Sequence, residues 1–360
     1  MKRITYITLL CLLMTVSVVS AQENEPASLP GMRSTPSNLP DISVIGDIAG
    51  MATDVAGDPD RNKIVVRGVE LALQGYIYPQ MRADVFLAMH RHDGAIEPEL
   101  CEASVSFLNI LGCLGARAGK IHVDFGKINK IHQHERPYAD QPLALTNFFG
   151  EHGLIGEGAS VSCLMPLPFF LQAELGAWRI PSAHHHEGEE EEPSFGLADE
   201  TYTGRLWASF SPGKKTELEL GASGATGRGS HYLHHMDRAR VAGGDVTLKY
   251  WPSTFTRLII QAEALHLVRE VPVGTLRKWG TYGYIGYQPG KYWEAGMRYD
   301  WTEDAFPDGS IHDMVSGMLA YKFTETTKLR LQAGYHPKDR NYRAWLQLVF
   351  GIGPHSHPMQ

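Results

Sequence analysis

The stretch SAHHHEGEEEEPS, residues 182–194, sets His184, His185 and His186 beside Glu187 and four more glutamates. A second cluster, HYLHH, holds His231, His234 and His235. Neutral imidazoles and carboxylates are ordinary ligands for zinc, copper and nickel. A run of glutamates also raises the local cation concentration and keeps histidines protonated longer, so capture should fail at mildly acidic pH. The expected chemistry is weak, exchangeable zinc binding with no tightly held cofactor, because HHHEGEEEE has none of the fixed geometry of a closed tetrahedral site. A merely solvated loop is the competing reading. The i, i+3, i+4 spacing of HYLHH could chelate only on a helix, and none is indicated. Ser230 and His231 are adjacent, but no third group orients them as a nucleophile–base pair, so an enzyme is not expected.

What these residues can do depends on the elements that carry them. Lys2 and Arg3, an apolar run from Ile4 to about Val19, and the small Ser20 and Ala21 read as a signal peptide over residues 1–21. The Pro/Ser/Asn-rich residues 22–40 read as a flexible periplasmic leader, residues 41–353 as the folded body and 354–360 as a tail. A net charge of −7 argues against nucleic acid as a partner. Past the signal peptide, Cys101, Cys113 and Cys163 make an odd count without a CxxC spacing, which is not a disulfide framework.

From Asp41 onward the hydropathy period is two. In YWEAGMRYDW, Trp293, Ala295, Met297, Tyr299 and Trp301 share one face, against Glu294, Gly296, Arg298 and Asp300 on the other. TKLRLQAGY and NYRAWLQLVF alternate in the same way. Such segments predict strands with one apolar and one wet face. About 16 of them approach the ~10 residues that a tilted membrane strand needs. Every second connection is tight, while those between (127–156, 182–200, 228–238, 268–278, 302–311) are longer and more polar. The pattern predicts an all-β, antiparallel transmembrane barrel with short periplasmic turns and long extracellular loops. Tyr76, Tyr78, Trp251, Tyr292, Trp293 and Trp301 gather toward strand ends, as interfacial girdles do. A soluble sandwich with this much outward Leu, Val and Ala would aggregate. His90, His92, His132, His134, His152, His312 and His336 fall at the long-loop end with the two clusters.

With the apolar face in lipid, the opposite face lines the lumen. It would carry Arg82, Asp84, Glu102, Arg117, Arg205, Glu217, Glu219, Asp245, Lys249, Arg257, Glu263, Glu294, Arg298, Lys328, Arg330 and Arg343. Charges of both signs imply water or mutual pairing. A barrel of this size leaves an aqueous channel. The longest connection, 127–158, carries Leu143, Leu145, Phe148 and Phe149 and is expected to fold inward and narrow the channel; packing over the rim is the alternative.

NLPDISVIGDIAG, the segment from ARAGKIHVDFGKINKIHQHERPY onward through residue 175, and VFGIGPHSHP together resemble a bacterial porin-like barrel family. Its members are often labelled zinc-regulated, TonB-dependent outer-membrane receptors, and it is similar in design to the phosphate-selective porins. The resemblance implies an outer-membrane barrel with a role in metal uptake. The expected strand count and short leader depart from a plug-bearing receptor. The function expected is therefore passive diffusion of small hydrophilic solutes or ions, with outer-membrane lipid as surroundings and a homotrimer as the assembly common at this size. A metal receptor and a non-transporting adhesin are the rivals.

Overall fold

Alternation of this kind can satisfy every backbone amide in hydrocarbon only if the sheet closes on itself. In the computed structural model it does. Residues 40–58, 60–92, 95–181, 196–229, 238–271, 274–305 and 309–354 are described. The first strands are β1 (Asp41–Thr53), β2 (Ile64–Tyr78), β3 (Met81–His92), β4 (Ala95–Leu111) and β5 (Leu114–His122). There follow β6 (Ile155–Leu164), β7 (Phe170–Ile180), β8 (Leu197–Gly213), β9 (Thr216–Gly229), β10 (Arg238–Tyr250) and β11 (Arg257–Val271). The last are β12 (Gly274–Gln288), β13 (Trp293–Glu303), β14 (Ile311–Lys322), β15 (Lys328–His336) and β16 (Asn341–Ile352). Each pairs antiparallel with its neighbour in sequence, and β1 pairs with β16, closing a barrel of 16 strands.

The two faces follow the sequence pattern. Along β13 the odd positions Met297 and Tyr299 are exposed, whereas Arg298, Asp300 and Thr302 are buried within. Leu175, Leu206, Leu220, Ile260, Ile285, Leu319, Leu331 and Leu346 all stand exposed on the outer wall. At roughly 25 cal/mol per Å² of apolar surface, such a belt is tenable only against lipid. The connections 79–80, 112–113, 165–169, 214–215, 251–256, 289–292 and 323–327 lie at one end together with both ends of the strand run. At the other end 123–154 is by far the longest. The expected loop 268–278 shrinks to 272–273, because β11 and β12 extend their ladder to Val271 opposite Gly274.

The structure adds one contact that the spacing of the cysteines did not show, though all three are free thiols in it. Cys113, in the tight turn before β5, meets Cys163 on β6 with the two Sγ atoms 2.7 Å apart. Cys101 is buried elsewhere on β4. Protein isolated without reductant should therefore carry a Cys113–Cys163 disulfide. Alkylation in denaturant would then label Cys101 but neither Cys113 nor Cys163 until reductant is added. Labelling of Cys113 and Cys163 without reductant would count against the pairing.

Candidate functional site

The site is the segment 123–154, which does not arch over the rim but enters the barrel. Its neck is closed by the Val123 N–H donating to Leu154 O at 2.9 Å. Asn129 holds the same neck three times over. Its Nδ2 donates to Val123 O (2.8 Å) and Leu154 O (2.9 Å), and its Oδ1 accepts from Leu154 N (2.7 Å). Asn129 is fully buried, so an alanine there leaves these groups to one another without compensation. A loss of about 1–3 kcal/mol is expected. It should be read as faster proteolytic nicking of the segment in the folded barrel.

Inside, the segment divides into an apolar flank and a polar ridge. The helix α1 (Leu143–Phe149) starts after Pro142 and ends at Gly150, whose φ of 85° suits a residue without a side chain. Ala144, Leu145, Phe148 and Phe149 are its buried face, and Leu143 is half-buried. The four buried residues join Phe125, Ile128 and Leu154 in one cluster with Trp178, Val241, Leu265, Leu267, Tyr282 and Tyr284 of the wall. The inner wall is thus not uniformly wet, as strict alternation suggested; toward the long-connection end of β7 to β12 it is apolar and matched to the segment. The fit is close enough that a Cβ on Gly280 of β12 would lie 2.7 Å from Ala144 Cβ.

The polar ridge is clamped to charges projecting from much of the circumference. Arg298 on β13 donates to Asp140 Oδ2 (2.9 Å) and to its own-strand neighbour Asp300 (2.7 Å), with its guanidinium 4.3 Å from the Tyr138 ring centre. Asp300 in turn accepts from Leu143 N at 3.2 Å. Gln332 on β15 donates to Asp140 Oδ1 (2.6 Å) and accepts from Ala139 N (2.7 Å). Arg330 donates to Arg136 O and to Gln347. Three strands round from β15, Arg67 on β2 donates to Ala139 O at 2.6 Å. On the far wall Lys127 pairs with Glu219, which Lys249 also reaches. Gly126 N donates to Ser223, and Lys127 N to Glu263. Arg205 grips Asp245 (2.8 Å) and Asp124 (3.2 Å). Gly126 has φ 62°, and a Cβ there would strike Glu263 Oε1 at 1.7 Å, so only glycine fits.

Electrostatics follow from this enclosure. Burial opposes the charge on Asp140, yet the Arg298 guanidinium holds its carboxyl below the ordinary range. Burial outweighs Glu219 at Lys127 and lowers its ammonium. For His132, burial disfavours the imidazolium, but its hydrogen bonds to the Glu102 and Glu70 carboxylates outweigh it and push the pKa up to about 10.

The expected lumen residues separate into two sets. Glu102, Arg205, Glu219, Asp245, Glu263, Arg298 and Arg330 face inward but are buried under the segment, pairing with it or with each other. Arg82, Asp84, Arg117, Glu217, Lys249, Arg257, Glu294 and Lys328 face inward and are less deeply buried. Of these, Arg82 pairs with Asp84 at 2.9 Å and Arg257 with Glu294 at 3.4 Å. Arg343 sits at the long-connection end against Asp58. Asp124, Lys130, Gln133 and Glu135 on the segment also keep partial exposure, and the three charged ones are of both signs. Sequence reasoning missed Arg67, Glu70 and Asp47, at inward positions of strands it had identified, and it put Gln332 and Gln347 on the wet face without assigning them a role. It also placed the segment four residues late: β5 ends at His122 and β6 already begins at Ile155. His184, His185, His186, Glu187, His231, His234 and His235, offered as zinc ligands, lie outside the described residues, as does the expected signal peptide.

No family model matches this chain. An uncharacterized protein of Aquifex aeolicus (strain VF5) is 28% identical over 282 residues, 67% of this chain and 59% of that protein. The chain thus spans less than two thirds of the relative's length. Solved structures of like fold include the anion-selective porin from Comamonas acidovorans (TM-score 0.56, 12% identity, 87% of this chain and 100% of that one). A loop L8 deletion mutant of OmpT, an outer membrane protein of Vibrio cholerae, gives 0.56 at 10% identity, with 87% and 100% covered. Salmonella typhi OmpF in complex with Daunomycin gives 0.54 at 10% identity, with 88% and 98% covered. What this chain shares with them is a porin-type barrel: 16 antiparallel strands closed on themselves.

Proposed function

We propose that the chain is an outer-membrane porin for passive diffusion of small hydrophilic solutes and ions, with segment 123–154 as its size-setting constriction. The observation that carries this is the segment's attachment: it is bonded to β2 and β15 on one side and to β8 and β9 on the opposite one, while its helix lies on β12 and β13. A barrel whose only task was adhesion has no use for a clamped interior segment. The paired charges around it give water and ions a polar edge to pass, and their mixed sign favours a weakly selective pore. The long-connection end would face outward and the short turns the periplasm. A homotrimer, the form described for the similar OmpT, an outer membrane protein of Vibrio cholerae, fits the same reading. Purified protein in planar bilayers with KCl should give stepwise currents that grow linearly with salt, and vesicles containing it should swell in a monosaccharide more readily than in a long oligosaccharide. Silent bilayers together with unswollen vesicles would remove the porin reading.

A further inference from the structure

The wall where β2, β4 and β5 meet the segment holds a group of side chains that the constriction does not require. Glu102 projects from β4, His122 ends β5, and His132 reaches them from the segment. The His122 Nδ1 to Glu102 Oε1 distance is 2.6 Å, and His132 Nε2 lies 3.6 Å from the same oxygen. One ligand atom from each of the three residues falls within 4.8 Å of the others. The other ring nitrogen, His132 Nδ1, is 3.0 Å from Glu70 Oε2. The two imidazole rings stand 5.1 Å apart, centre to centre.

We infer that Glu102, His122 and His132 form a binding site for one divalent first-row transition-metal ion, with Glu70 as the carboxylate that orients His132. Four observations carry the assignment. First, bonds of about 2.0–2.1 Å to a tetrahedral ion set neighbouring ligand atoms roughly 3.3 Å apart. The His132–Glu102 distance of 3.6 Å nearly meets that already. The His122–Glu102 pair has to open by roughly 0.7 Å, the ion taking the place of the proton now between them. Second, a metal-bound histidine typically gives its other N–H to a carboxylate, which fixes the tautomer that leaves a lone pair for the ion. His132 between Glu70 and Glu102 has that arrangement. Third, Glu70 is 8% exposed, and its Oε1 is buried without a hydrogen-bond partner among the described residues, an unusual cost unless the carboxylate serves something. Fourth, two imidazoles with one carboxylate suit zinc, cobalt or nickel, whereas calcium and magnesium want oxygen alone. Three protein ligands leave a fourth position for water, so the ion would exchange. Arg117 opposes a cation only from the far side, 3.9 Å from the other oxygen of Glu102. His134 lies beside His132, ring centres 5.7 Å apart, and provides a further imidazole next to the orienting Glu70.

The ion would join a strand of the wall to the constricting segment, independently of whether the barrel conducts. The test accordingly measures binding. In detergent-purified barrel with His184–His186, His231, His234 and His235 changed to Ala, Co²⁺ should produce a saturable visible absorption band at one equivalent, displaced by Zn²⁺. His122→Ala should abolish the band while leaving the Glu70–His132 contact, and so the segment, in place. Glu70→Gln should keep the band and weaken affinity roughly tenfold to a hundredfold. The mobility difference between unheated and boiled samples on a gel would verify folding of each variant. Either no band in the parent or an undiminished one in folded His122→Ala would overturn the site and leave His132 as an ion-paired clasp alone.

Discussion

Excising residues 130–152 and joining Asn129 to Gly153 is expected to raise single-channel conductance in KCl by roughly twofold or more, because a barrel of this strand number otherwise encloses an open aqueous lumen. The junction is sterically reasonable: Asn129 Oδ1 lies 2.5 Å from where a Gly153 Cβ would be. The excision removes α1 and the residues facing Arg298, Arg330 and Gln332. Those wall groups then meet water and not a void, so the strand ladder that closes the barrel should survive. Single-channel recording at fixed salt reads the change. Conductance equal to that of the intact chain would mean that the segment does not limit flow.

The second large effect concerns one cation. Arg298→Met should cost about 3–5 kcal/mol, the loss typical when one partner of a buried ion pair is removed and the remaining charges have no counterion. Arg298 is about as deeply buried as any residue in the barrel, at 1% exposure, and both Asp140 and Asp300 depend on it. Its loss puts two carboxylates side by side with neutral donors such as Gln332 and Leu143 N in place of a cation. The energy should appear as release of the segment and not as opening of the barrel, since the strand ladders on either side are untouched. Protease should nick the segment far faster, and open-channel noise should rise. Adding Asp140→Asn and Asp300→Asn should recover much of the resistance, since the harm lies in uncompensated charge. A singly substituted barrel as resistant as the parent would show that Arg298 does not hold the segment.

The barrel was largely legible because its signal is local and repeated. Period-two alternation in a stretch such as Trp293–Trp301 assigns both the strand and its lipid face, and the tight turns supply the pairing. Inward charges such as Arg298 and Glu263 could be named from parity alone. Their partners could not. Asp140 and Arg298 are 158 positions apart, and Arg330 and Arg136 are 194 apart. No spacing rule links them, because a segment folded across a lumen chooses partners by geometry. The same holds for Glu70, Glu102, His122 and His132, which come from four separate places in the chain. His132 was noticed only as one histidine among many, and His122, inside a strand pattern, gave no signal. The approach of Cys113 to Cys163 likewise depends on the β5–β6 register, which is not visible in spacing.

The pairing of β1 with β16 has its own consequence for biogenesis. Every other ladder joins neighbours in the chain and can zip as a hairpin. This one joins positions as remote as Asp47 and Gln347, 300 residues apart, so its entropic cost falls at the end of folding. A nascent sheet arrested before that seam forms has two raw edges in hydrocarbon, and it has not yet enclosed the segment that its walls must grip. Insertion should therefore behave as a single late commitment, in which sealing the cylinder and seating its inner tongue succeed or fail together.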